Sequence, residues 1–67
     1  MMKTFTRQGQ EMVVTVEENE NCVIKIATIE WAVAWQLTII KGGEYQTPED
    51  VMPKVVEQLK NEGWNVN

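Results

Sequence analysis

For chemistry the chain offers one thiol, Cys22, and ten carboxylates, with neither histidine nor serine. Without an imidazole, no Ser/His or Cys/His pair can be assembled, so no nucleophile has a base beside it in the usual sense. A single thiol and no histidine also leave no Cys/His zinc set, and no segment matches the alternating acidic loop that presents oxygens to calcium. Lys41-Gly42-Gly43-Glu44 holds the one Gly pair and lacks both P-loop and dinucleotide spacing. Glu17 and Glu18 are successive residues of a strand-like stretch. They therefore point to opposite faces, badly placed to share a proton or flank one bond. The expectation is a protein that is not an enzyme and holds no cofactor or metal. Cys22 has no basic neighbour in sequence of the kind that activates a thiol, and reads as a small, half-buried apolar residue. A redox or accessory-subunit role through Cys22 ranks behind the binding readings below.

What the acids can do is bind. They cluster at Glu17, Glu18 and Glu20 and again at Glu44, Glu49 and Asp50, in a chain of net charge −4. That charge opposes direct contact with DNA, RNA or anionic lipid, and no basic patch is visible in the sequence. If extended, Glu18 and Glu20 would stand about 6.8 Å apart, near the spacing of successive phosphates on a nucleic-acid strand. The second set of candidate contacts is aromatic: Trp31, Trp35 and Tyr45. Indoles are core residues first and interface anchors second. One helix is too narrow to cover both Trp31 and Trp35 with Val33, Leu37 and Ile39, which would leave an apolar patch for a partner or a second copy.

The elements that must position these residues read as follows. Met12–Glu18 and Cys22–Thr28 alternate β-branched and polar residues and predict two strands, with Asn19-Glu20-Asn21 as the turn of an acidic-tipped hairpin. Residues 3–10 add a short strand that ends at Gly9. Ile29–Ile40 fits two periods. At period two, Trp31, Val33, Trp35, Leu37 and Ile39 share one face; at 3.6, Ile29, Val33, Leu37 and Ile40 form a helical stripe with Thr28 as its cap. The strand is preferred, and it requires a bend near Thr28 to Glu30 that no Gly, Pro or Asn marks. Gly42-Gly43 permits a tight turn, after which Glu44 to Gln46 fold back briefly.

Thr47-Pro48-Glu49-Asp50 is a helix start, with cap, N1 proline and dipole-compensating acids. Pro53 either kinks this helix or moves the regular part to a start capped by Asp50. Both readings bury Val51, Met52, Val55, Val56 and Leu59. Gly63 terminates the helix and folds Trp64 back onto Leu59, and residues 64–67 are able to form a minor terminal strand.

The predicted fold is α+β: residues 1–67 as one small domain, an antiparallel three- to four-stranded β-meander with one C-terminal helix packed on one face. A core this thin, in a 67-residue chain without a possible intrachain disulfide, predicts a homodimer. The lone cysteine fits a reducing cytoplasm. The longest uncharged run, Trp31 to Ile40, falls far short of the roughly 20 residues that cross a bilayer, so no membrane contact is expected. Short chains without catalytic residue types are of the kind phages and mobile elements often encode. The functional expectation is an acidic inhibitor or modulator that binds a host protein, one whose surface takes nucleic acid and which it engages as a DNA mimic. The alternative is a small homodimeric structural or adaptor module.

Overall fold

In the computed structural model, which describes Met1–Asn67, the elements run β1 (Met2–Arg7), β2 (Gln10–Glu18), β3 (Cys22–Ile29), β4 (Ala32–Ile40), α1 (Pro48–Asn61) and β5 (Asn65–Val66). The fold is the expected α+β class with one more strand than the meander alone supplies. The sheet is antiparallel and five-stranded, in the order β4-β3-β2-β1-β5. β5 is the minor terminal strand, held to β1 by the pairs Phe5↔Val66 and Thr6↔Asn65.

α1 starts as its sequence dictates. Thr47 is the N-cap, its hydroxyl accepting from the Asp50 N–H at 3.3 Å while the Asp50 carboxylate accepts from the Thr47 N–H at 3.1 Å. Pro48 occupies the first helical position, and the helix continues through Pro53 rather than restarting at Asp50. At the other end the Trp64 N–H donates to the Leu59 carbonyl at 2.9 Å and the Gly63 N–H to Lys60 at 3.0 Å. With Gly63 at φ +91° this is a Schellman termination. It buries Trp64, over whose ring the Arg7 guanidinium stacks 4.3 Å from the centroid.

Val51, Met52, Val55 and Leu59 form the inner face of α1, as the periodicity predicts, with Val56 only half-buried beside them. They close on Phe5, Met12, Val14, Val16, Val23, Ala27 and Trp64. Eight of these eleven core residues belong to β1, β2 and α1, and the helix makes its closest approaches to β2 and β5. β4 contributes nothing to the fully buried core; Trp35 and Ile39 only lean against its margin.

For Ile29–Ile40 the strand reading holds and its face assignment needs correction. The helical alternative is not formed; the expected bend near Thr28 to Glu30 is a two-residue turn at Glu30-Trp31 between β3 and β4. Both turn residues have positive φ, 51° and 69°, the signature of a type I′ hairpin turn. The five apolar residues of the period-two reading do not share a face. Ala27 pairs with Trp35 but Thr28 with Val33, so Ala34 is an extra residue, and this bulge reverses the alternation. Trp35, Leu37 and Ile39 share the helix side, Val33 falls on the opposite side, and Trp31 lies under no helix at all. On the helix-free side Thr4, Thr15, Thr28 and Thr38 stand across the ladder from Val13, Ile26 and Ile24, a half-apolar face of the kind an antiparallel sheet can present to water.

Truncation of the helix's inner face tests this packing. Leu59→Ala and Val55→Ala should each lower unfolding free energy by about 1–4 kcal/mol through lost burial and cavity formation, read from urea denaturation midpoints. Unchanged midpoints for both would mean that α1 packs through a different face.

Candidate protein-binding site

The meander brings the candidate acids to one end of the molecule. β2 ends, β3 begins and β4 ends at the same end of the sheet, and α1 starts there after a short loop. Glu17, Glu18, Glu20, Glu44, Glu49 and Asp50 therefore converge, six of the ten carboxylates in the chain. Two ion pairs tie this end together. The Lys41 ammonium donates to Glu18 at 2.6 Å, linking the ends of β2 and β4, and Lys54 lies 3.3 Å from Glu44, linking the loop to the helix. The hydrogen bond from Lys54 to Glu44, then the charge of Glu44, hold the Lys54 ammonium above its ordinary value. Both lysine–acid pairs are solvent-exposed and hold geometry more than they add stability.

The six acids differ in how much charge they leave for a partner. Asp50 is committed to the helix cap, accepting from the N–H groups of Gln46 and Thr47. Glu18 and Glu44 are paired with lysines. Glu17, Glu20 and Glu49 have no salt-bridge partner and are exposed. The extended backbone on which the phosphate-like spacing of Glu18 and Glu20 depends ends at Glu18. Glu20 sits in the tight turn, where the Asn19 side chain accepts from the N–H groups of Asn21 and Cys22 at 2.9 and 2.8 Å, so the backbone is not extended there.

The aromatic candidates do not join this end as a group. Tyr45 does, half-buried, its backbone bridged to Gly42, which is all that remains of the expected fold-back after Gly42-Gly43. Trp35 lies half-buried on the helix side of β4, with the Lys25 ammonium 5.9 Å from its ring centroid. Trp31 stands at the opposite end, separated from the acids by the nine residues of β4, about 30 Å at the rise of an extended strand. It is fully exposed, at 101% relative accessibility.

Two open cavities flank these features. One, of about 420 Å³ beside α1, has Met52, Pro53, Val56 and Val66 as its floor, with Lys3, Lys60 and Glu49 at its rim. The other, of about 580 Å³ on the helix-free side, is walled by Trp31, Glu11 and Glu30 over Val13 and Thr28. Cys22 lines neither; it is half-buried at the start of β3. No group of three or more acids or thiols is close enough to hold a metal ion. No helix is long and apolar enough to cross a membrane.

The apolar patch expected around Trp31, Val33 and Leu37 is present, with Ile40 as the member that the sequence did not point to, while Trp35 and Ile39 are half-buried. Val33, Leu37 and Ile40 are 60%, 53% and 79% accessible, and with Trp31 they make up most of the exposed large apolar side chains. All lie on β4 or its entering turn. A signal for this existed: β4 is the last strand of the meander before the helix, so it must form an edge unless a later strand covers it, and β5 does not. No protein-family model, curated protein or solved structure matches the chain.

The Glu30-Trp31 turn is strained, because a bulky residue in left-handed backbone costs on the order of 1 kcal/mol and the preferred pair for such a turn is Asn-Gly. Replacing both, Glu30→Asn with Trp31→Gly, should stabilise the fold by about 1 kcal/mol. A denaturation midpoint that falls instead would show that the Trp31 side chain contributes to the folded state despite its exposure.

Proposed function

We propose that the chain is a non-enzymatic binding protein that docks its acidic end onto a basic surface of a protein partner, as an inhibitor or modulator of a host protein whose own ligand is nucleic acid. The observation that carries this reading is the convergence of Glu17, Glu18, Glu20, Glu44, Glu49 and Asp50 at one end of the sheet. Because Glu20 lies in a turn, the resemblance to nucleic acid is one of field rather than of phosphate spacing. The uncompensated carboxylates Glu17, Glu20 and Glu49 supply most of that field. Their side chains cap no helix and close no ion pair, which leaves them available to a partner's lysines and arginines.

A second reading, a small homodimeric structural or adaptor module, is favoured by a different feature, the uncovered and uncharged strand β4.

The acidic reading is tested by replacing Glu17, Glu20 and Glu49 with Gln. Stability should change little, since exposed charges contribute tenths of a kcal/mol each. Affinity for the captured partner should fall at least about tenfold and lose most of its salt dependence, because screening and ion competition act on the removed contacts. Free DNA should compete with the unaltered chain for the partner. Unchanged affinity with a flat salt response would exclude docking through this end and move the contact to Trp31 or β4, where buried apolar area would hold it.

A further inference from the structure

An edge strand leaves a row of backbone groups without partners, and proteins normally blunt such an edge with charge, proline or brevity. β4 has none of these. It runs for nine residues, Ala32–Ile40, without a charged residue or a proline. Its unpaired groups can be assigned. The Lys41 N–H donates to the Asn21 carbonyl at 2.9 Å, and the ladder continues through Val23↔Ile39, Lys25↔Leu37 and Ala27↔Trp35. By antiparallel alternation, Leu37 and Ile39 direct their backbone groups at β3, whereas Gln36, Thr38 and Ile40 direct theirs outward.

We propose that this edge pairs with β4 of a second copy, antiparallel about a two-fold axis at Leu37. In that register Gln36 and Thr38 exchange backbone hydrogen bonds with Thr38 and Gln36 of the second copy. Leu37 meets Leu37 at a close, non-hydrogen-bonded position, and Trp35 meets Ile39 of the second copy on both sides of the axis. Trp35, Leu37 and Ile39 all lie on the helix side, so the pairing joins two half-covered apolar strips into one. Aromatic and β-branched residues facing each other across strands are favourable neighbours.

The self-complementary register points to a second copy, and two observations fix its orientation and the size of the assembly. β4 ends at the acidic end of the molecule, so a parallel partner would bring two sets of six carboxylates together, whereas the antiparallel one sets each against the Trp31 end of the other, whose acids are Glu30 and Glu11. The opposite edge of the sheet is blunted, since β5 is only two residues long, so growth stops at a pair. This inference does not depend on the docking of the acidic end.

Sedimentation at about 50 µM should show a dimer of the 7.7 kDa chain. Leu37→Lys and Leu37→Glu each place like charges on the axis and should weaken dimerisation at least about 100-fold. An equimolar mixture of the two should restore the dimer, which also shows that both variants fold. Thr38→Pro removes an outward N–H that the monomer's ladder does not use, and should give a monomer with an unchanged circular dichroism spectrum. Gln at Glu17, Glu20 and Glu49 should leave the dimer intact. A chain that sediments only as a monomer overturns the proposal and leaves the edge to a strand of another protein. A dimer that survives both Leu37 charges and Thr38→Pro overturns it in favour of a different interface.

Discussion

A single helix over a five-stranded sheet is the constraint from which the rest of this structure follows. An α-helix with its side chains is about 10–12 Å across, and strands repeat every 4.8 Å or so, so α1 covers a little over two strands. It covers β1 and β2 and reaches the near side of β3. The outcome is a core of eleven residues fed mainly from those elements, and a fourth strand that the helix never reaches. The exposure of Leu37 on the same face that holds Val14 and Val16 is thus geometric, not a departure from hydrophobic patterning.

Connectivity decides which side is left bare. The chain leaves β4 at the acidic end, passes through α1, and re-enters the sheet beside β1 as β5. The helix therefore carries the chain from one edge to the other, and its final turn is held over β1 by the Schellman termination and by Arg7, which stacks on Trp64 and donates to the Glu62 carbonyl at 2.9 Å. Fixing that end of the helix above β1 fixes its inner face above the β1–β2 hairpin. β5 needs only two residues because its work is to anchor the end of α1.

The parts of this fold that were legible in the sequence are those set by local chemistry. Thr47, Pro48 and Asp50 mark the helix start, Gly63 its end, and the spacing of Val51, Met52, Val55 and Leu59 its buried face. The β2–β3 hairpin was legible from Asn19 and Asn21 for the same reason. What was hidden is what local propensity opposes. Glu30 and Trp31 are poor residues for left-handed backbone, so their turn leaves no trace in composition. The bulge at Ala34 is likewise unmarked, and because strand faces alternate with every residue, one unmarked insertion exchanges the faces on either side of it. That single event separated Val33 from Trp35. For the site, the acids were identifiable by type, and their convergence follows from meander topology; their unequal availability does not, since it depends on which carboxylates find Lys41, Lys54 or the cap.

Charge and strand exposure divide the molecule between them. Six carboxylates lie where β2, β3, β4 and α1 have their ends, and the long strand that leads there carries no charge over its nine residues. Had a lysine or glutamate been placed midway along β4, the edge would be protected and the molecule confined to one copy. Had the acids been spread along the strand, repulsion would act at every register. Their segregation leaves an apolar edge free to pair while repulsion is concentrated at one end, where it penalises parallel pairing more than antiparallel pairing, in which six carboxylates meet only Glu30 and Glu11 at the Trp31 end. In the antiparallel pair the two acidic ends point away from each other. The Glu44 side of each lies beside the Trp31 turn of the other copy, while Glu17 and Glu20 lie at the β2–β3 turn away from the β4 edge, so joining two copies through β4 would leave part of the surface proposed to meet a basic partner open and present it twice.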